Sequence, residues 1–518
     1  MKLVFYQKGC VLMKIAFIGA GSIGFTRRLL SDILTVPELR HSEIAFTDIN
    51  RHNLDMVTQL CQRDIEANGL DIRIHATLDR REAFKGAKYV VNCVRIGMLE
   101  AFTKDVEIPL KYGVDQCVGD TLCAGGIMYA QRDIAFLEGL CRDIREVCEP
   151  GCLLLNYSNP NAMVTWYCIK YGKVNTVGLC HGVQGGHRLI AKALGYKQEE
   201  IDIICAGINH MTWYISIKHN GEELNGKLLD ALMADPEIAQ TEKVRIDMMK
   251  RFGYFSTESN GHLSEYVPWY RKHTDKIMDW IDLGVWINGE TGGYLRVCTE
   301  GRNWFETDFP NWLKEPPKKY IPEERSSEHG SYIIESLETG RIYRGHFNVM
   351  NQGCITNLPY ECVVEVPGYV DTHGINIPQI GDLPLGCAAC CQSNITVQKL
   401  AVEAGAHGDI NLLRQAMMMD PLTGAVCDPN AIWQMVDEML IEEAEWLPQY
   451  AEEIGRAKAR RADAERKGTL IPPIVTQGAA RLHTKTVEEM AKDKAEARKN
   501  AAEADKAKER PAAKPVKA

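Results

Sequence analysis

The chain has 518 residues, of which 45% are hydrophobic and 25% charged, and a formal net charge of −9. Its length allows about two to three domains with sizeable cores, and its acidic balance excludes a general nucleic-acid partner, which would need a basic face. No apolar run reaches the roughly eighteen residues of a membrane span, and no h-region with a cleavage site opens the chain, so a cytoplasmic location is expected. The 18 cysteines lack the dense spacing of a disulfide scaffold and read as reduced thiols.

Residues 1–12, ahead of Met13, read either as a short extension or as an upstream start. Lys14-Ile15-Ala16-Phe17-Ile18 is a short apolar run of buried-strand type, and Gly19-Ala20-Gly21-Ser22-Ile23-Gly24 follows it directly. Apolar residues at helical spacing then run from Ile23 to Val36. A second strand, Glu43–Thr47, ends at Asp48, where a carboxylate can accept hydrogen bonds from a ribose 2′-hydroxyl and would repel a 2′-phosphate. Strand, glycine turn, helix and acidic residue together predict an NAD site built on Gly19, Gly21, Ser22, Gly24 and Asp48, with a pyrophosphate at the helix N-terminus. Tyr89–Val94 completes a βαβαβ half.

Three further strands are predicted to deliver polar residues to one rim. Cys152–Tyr157 leads into the turn Ser158-Asn159-Pro160-Asn161, Thr176–Leu179 into Cys180-His181-Gly182-Val183, and Ile203–Ile208 into Asn209-His210. A thiolate and an imidazole, Cys180 and His210, suit a borderline transition metal and leave positions open for substrate oxygens. Cys387-Ala388-Ala389-Cys390-Cys391 contains a CxxC with no second CxxC, and ordinary buried thiols are the expectation there. After about Gly455 the composition turns to Ala, Lys, Glu and Arg. Such a segment buries too little surface to offset its chain entropy and is expected to be disordered or a lone solvated helix.

Gly19–Gly24, Asn159-Pro160, Cys180-His181-Gly182-Val183, Gly207-Ile208-Asn209-His210 and Glu265-Tyr266-Val267-Pro268-Trp269 together resemble glycoside hydrolase family 4, the NAD- and manganese-dependent glycosidases. The likeness covers residues 13–450, and Gly253–Ser259, His262, Tyr266 and Asp120-Thr121-Leu122 are similar to its melibiase (α-galactosidase) branch. The resemblance implies an α/β fold: a Rossmann-type doubly wound parallel sheet, lactate dehydrogenase-like, over 13–205. It also implies a C-terminal α+β catalytic, substrate and oligomerisation domain over 206–455, ahead of the charged tail at 456–518.

The resemblance further implies hydrolysis of an α-glycoside through hydride transfer from C3 to NAD⁺, loss of the C2 proton, elimination of the aglycone, water addition and return of the hydride. In that scheme Cys180 and His210 hold Mn²⁺, Tyr266 takes the C2 proton, and Asn159 binds a sugar hydroxyl or an oxygen on the metal. A phenol with a pKa near about 10 needs a neighbouring cation to act as a base at neutral pH. His181 stands where phospho-sugar members carry an aspartate or an asparagine, and its role is open between protonating the leaving group and orienting a neighbour. Cys-His-Gly-Val itself looks like the α-glucosidases, whereas the surrounding residues look like the α-galactosidases, and an α-uronidase is a further alternative. Cys123-Ala124-Gly125-Gly126 departs from the family's usual Gly-Pro-Gly-Gly. A homodimer or homotetramer is implied, with a small α-glycoside as partner and neither nucleic acid nor membrane. A lactate/malate-type dehydrogenase and a nucleotide-binding regulatory protein without turnover are the readings from other classes.

Overall fold

The computed structural model describes residues 13–474, 478 and 481–508, with side chains described outside 303–307 and 501–508. The expectation for residues 1–12 lies outside them. Contacts divide the chain into two units, Met1–Leu295 with Pro317–Leu482, and Arg296–Pro316 with His483–Ala518.

The first unit is built on a sheet of 12 strands. Six are parallel: β1 (Lys14–Ile18), β2 (Glu43–Thr47), β3 (Ile74–Thr77), β4 (Tyr89–Asn92), β5 (Leu153–Asn156) and β6 (Asn175–Gly178). They lie in the order β3-β2-β1-β4-β5-β6. Their runs are apolar without alternation because helices such as Ile23–Thr35 and Cys123–Val147 pack on the sheet, and Ile15, Phe17, Val90 and Leu154 are buried. The chain turns from β2 and β3 on one side of β1 to β4 on the other, the kind of switch point that opens a crevice at the carboxyl ends of the strands.

The other strands are β7 (Ile201–Ile208), β8 (Met211–His219), β9 (Glu222–Glu223), β10 (Tyr343–Met350), β11 (Val363–Asp371) and β12 (Gly374–Asn376), and they pair antiparallel. Sequence order places β7 after β6, yet in the sheet β10 and β11 come between them. The β10–β11 pair meets each neighbour at one residue, Asn348 opposite Gly178 and Glu365 opposite Gly207. The rim therefore holds the predicted residues, but the strands that deliver them are not consecutive neighbours. β7, which starts at Ile201, belongs to the same sheet as β1–β6, so the sheet runs through the expected boundary at 205/206.

The expected tail boundary falls inside the helix Ala451–Lys467. Ile454 and Ala457 are buried, and Arg460 pairs with Asp437 at 2.7 Å and Glu453 at 2.6 Å, so this stretch packs through a narrow apolar stripe and ion pairs. In the second unit, residues Val487–Lys508 form a helix and Lys494 pairs with Asp308. The CxxC lies within the helix Leu385–His407, where Cys387, Cys390 and Cys391 are buried free thiols.

Candidate active site

The glycine turn closes tightly on the end of β2. Gly19 N donates to Thr47 O at 3.1 Å, and Gly21 N donates to Asp48 Oδ2 at 2.8 Å. Gly19 has φ +78°, and a Cβ there would lie 2.7 Å from the carbonyl oxygen of Cys93, so only glycine meets both demands. A Cβ on Gly21 would sit 2.8 Å from the Asp48 carboxylate, whereas Gly24 has open space around it. Ser22 makes no side-chain cap on the helix Ile23–Thr35, leaving its first N–H groups for another acceptor. Asp48 Oδ1 accepts from Asn50 N at 2.8 Å, and the neighbouring Ile49 is 85% exposed. Gly19, Gly21, Ser22 and Asp48 thus converge at one edge, and together with the open Gly24 they fit a dinucleotide.

Cys180 follows β6, and His210 occupies the two-residue turn between β7 and β8. His210 has φ +64°, an uncommon conformation for a side-chain-bearing residue that the surrounding structure must hold in place. Beside it, Asn209 Nδ2 donates to Glu365 Oε2 at 3.1 Å, tying the turn to β11. Residues 255–257 run against β8, with Thr257 N donating to Thr212 O at 2.9 Å, and so deliver Glu258 opposite His210. Ligand atoms of Cys180, His210 and Glu258 all lie within 4.8 Å of one another.

The electrostatics of this group are compatible with a bound cation. Burial pushes the Cys180 thiol well above its ordinary range, aided by the charges of Glu365 and Glu258. His210 is pushed down to about 3 by burial and by the positive charge of His262, and its buried Nδ1 has no hydrogen-bond partner among the described residues. Burial also raises Glu258, but the hydrogen bond from His262 and the charges of His210 and His262 outweigh it and hold the carboxyl low. A divalent ion would ionise the thiol, satisfy the imidazole and offset the partly buried carboxylate. Sulfur, nitrogen and oxygen donors together fit a borderline transition metal.

Tyr266 lies beside this group, buried, with its ring centroid 6.4 Å from that of His210 and 5.6 Å from that of His262. Its hydroxyl donates to Thr121 Oγ1 at 2.9 Å. Burial, reinforced by Asp120, Glu265 and Glu258 and opposed by the Thr121 contact, pushes the phenol well above its usual value. Asn159, after β5, donates to both oxygens of Asp120 at 3.4 Å, and Asp120 pairs with Arg95 at 2.7 Å. His181 is exposed at the start of the helix Gly182–Leu194, next to Cys180. Cys123-Ala124-Gly125-Gly126, which departs from the family pattern, forms the first turn of the helix Cys123–Val147 and not a loop, and a Cβ on Gly125 or Gly126 would meet Gly119 O or Thr121 C, each at 2.5 Å.

Cys180, His210, Tyr266 and Asn159 therefore gather on one side of the sheet. Sequence reasoning gave no role to Glu258, His262, Asp120 or Glu365. For Glu365 a signal existed, a lone carboxylate inside the apolar run Val363-Val364-Glu365-Val366. Glu258 is carried by an irregular segment that has no periodicity to read.

Fold and site define an enzyme of the dinucleotide-fold class with three donor side chains, Cys180, His210 and Glu258, gathered at one place. The chain matches the descriptions "Family 4 glycosyl hydrolase" over residues 14–196 and "Family 4 glycosyl hydrolase C-terminal domain" over 205–423. It is 54% identical to an α-galactosidase of Rhizobium meliloti over 94% of this chain and 99% of the relative, and 34% identical to an α-galactosidase of Bacillus subtilis over 85% and 100%. Its fold is similar to a 6-phospho-β-glucosidase structure from Thermotoga maritima with manganese, NAD⁺ and glucose-6-phosphate, with a TM-score of 0.69, 22% identity and coverage of 84% of this chain and 99% of that one. The chain belongs to glycosyl hydrolase family 4 and is a glycoside hydrolase. This family sets aside the dehydrogenase and regulatory readings.

Proposed function

We propose that the protein hydrolyses α-galactosides by oxidation, elimination and re-reduction on the sugar, with NAD at the glycine turn and Mn²⁺ at Cys180, His210 and Glu258. The observation that carries this reading is the three-donor group within 4.8 Å set directly beside the Tyr266 phenol. A direct-displacement glycosidase uses two carboxylates across the scissile bond and has no need of a thiol. Relatives of 54% and 34% identity described as α-galactosidases support the galacto over the gluco or uronide alternative.

Bound NAD and the divalent cation supply reversible hydride removal at C3 and stabilisation of negative charge on the adjacent oxygens. The chain's own residues do the rest. Asp48 receives the ribose hydroxyls, with Ile49 beside it as an apolar surface for a flat ring. Asn159, held by Asp120, presents its amide to a sugar hydroxyl. Tyr266 takes the proton from C2. Burial, reinforced by the charges of Asp120, Glu265 and Glu258, raises that phenol, and a cation held by Cys180, His210 and Glu258 would oppose this. His181, on the exposed side of Cys180, faces the departing aglycone. Function in the cytoplasm as a homodimer or homotetramer belongs to the same reading, and among the described residues no helix is long and apolar enough to cross a membrane.

Protein stripped of nucleotide and metal should cleave nitrophenyl α-galactoside only after NAD⁺ and Mn²⁺ are both restored, without net NADH accumulation. In deuterated water the released galactose should carry deuterium at C2, and Tyr266→Phe should lower turnover by about 10²- to 10⁴-fold. Undiminished turnover without nucleotide, or product with only protium at C2 from an enzyme whose base exchanges with bulk water, would overturn the mechanism. Faster cleavage of the glucoside than the galactoside would overturn the substrate choice alone.

A further inference from the structure

Resting on the assignment of Tyr266 as base, we propose that Thr121 is a positioning residue for that base: its hydroxyl, shared between the Tyr266 phenol and the His262 ring, fixes where the phenol oxygen lies and which way its hydrogen points. Tyr266 donates to Thr121 Oγ1 at 2.9 Å, and the same oxygen lies 2.8 Å from His262 Nε2. A threonine hydroxyl has a single hydrogen. Its oxygen also has two lone pairs, so Oγ1 accepts from the phenol and at the same time pairs with His262 Nε2, and the hydroxyl links the phenol to the ring whichever of Thr121 and His262 carries the hydrogen between them. All three are buried, which removes water as a substitute partner.

The backbone that carries Thr121 is held by the segment that carries Tyr266. The Glu265 carboxylate, one residue before the phenol, accepts from Val118 N at 2.5 Å and Gly119 N at 3.2 Å, and also from Cys117 N. Arg271, farther along the same segment, donates to Asp115 O at 2.7 Å and pairs with the Asp115 carboxylate. The loop 115–121 and the segment 265–271 therefore move as one piece, and the distance from Thr121 to the phenol is set by this frame. Beyond Thr121, the His262 ring lies tilted against the candidate ligand His210, with ring centroids 4.3 Å apart. The hydroxyl thus ties the position of the base to the side of the site that holds the cation. An error of about 1 Å in such a placement is enough to slow chemistry 10²-fold.

The test compares Thr121→Val, Thr121→Ser and Thr121→Ala in the holoenzyme with NAD⁺ and Mn²⁺ present. The valine variant should lose roughly 10- to 100-fold in kcat with KM and Mn²⁺ affinity close to wild type, and serine should restore most of the loss. On a galactoside deuterated at C2, the isotope effect on kcat should rise in the valine variant, because proton removal becomes more rate-limiting. In the Tyr266→Phe background, Thr121→Val should cost little more, since the hydroxyl then has no phenol to place. Wild-type kcat in both the valine and alanine variants, an equal loss in serine, or a full additional loss on Tyr266→Phe would overturn the proposal. If valine does not fold, alanine and serine carry the same comparison. Deuterium at C2 in wild-type product together with full turnover in the valine variant removes only the role of Thr121. Absence of that deuterium from an enzyme whose base exchanges with bulk water, together with full turnover in Tyr266→Phe, removes the base assignment itself.

Discussion

At the scale of residues, the proposed cation site rests on three donors that differ in charge, softness and burial. Cys180→Ser, His210→Ala and Glu258→Gln should each weaken Mn²⁺ binding by more than the roughly 10–100-fold typical of an outer partner, as read by metal titration of the NAD-loaded protein. Glu365→Ala should fall within that lesser range, because Glu365 meets the site through the Asn209 amide, not as one of the three donors. Equal affinity in Glu258→Gln and wild type would reduce the site to two protein ligands. Cys180 and His210 were legible in the sequence because each follows a short apolar strand at a predictable edge. Tyr266, surrounded by Trp269 and Tyr270, reads locally as packing, and only its resemblance to a known family marked it. Glu258 was illegible because its approach depends on a loop that pairs with β8 from more than forty residues away in sequence.

At the scale of elements, the strand, glycine turn and helix opening the fold follow from the sequence because every constraint on them is local. Gly19→Ala should lower the melting temperature by several degrees and weaken NAD binding, since its left-handed φ costs about 1–3 kcal/mol and its Cβ would meet backbone 2.7 Å away. Gly24→Ala, with open space around it, should leave the melting temperature nearly unchanged. A calorimetric comparison separates the two. The placement of β10 and β11 was not legible, because their partners β6 and β7 lie far away in sequence and meet them at single residues.

Asp420 gives a pH dependence at the same scale. It caps the helix Pro421–Val426 by accepting from Thr423 N at 2.8 Å, and it also accepts from Cys123 N at 3.1 Å. Burial pushes its carboxyl up to about 6, against about 4 in an unfolded chain. Between those values the folded protein holds a proton that the unfolded chain has released. The group's contribution is therefore fully present below about pH 4 and is lost as the pH rises through about 6. The stability of wild type relative to Asp420→Asn should fall across that interval in denaturant titrations, and a flat difference would contradict the assignment.

At the scale of the molecule, one sheet contains both the strands around the glycine turn and those around His210. NAD binding at one end should therefore stabilise the whole first unit, by about 2.7 kcal/mol at a hundredfold excess over Kd. Calorimetry should show one transition of that unit moving upward as NAD is added. Two resolved transitions, with only one responding, would indicate that the sheet is thermodynamically divided between the segments 14–196 and 205–423 that match the two family descriptions.

The wedge of β10 and β11 between β6 and β7 sets a timetable during synthesis. Cys180 and His210 leave the ribosome early, but the strands that seat them in one sheet end only at Asp371. At common elongation rates the intervening residues take roughly 10–30 s to appear. Throughout that interval the nascent chain carries a thiol and an imidazole without the enclosure that gives them a defined geometry. At the proposed site, selection of an ion by shape would therefore begin only when the last strands arrive, and any ion captured earlier would be chosen by affinity alone, an order that places copper and zinc ahead of manganese.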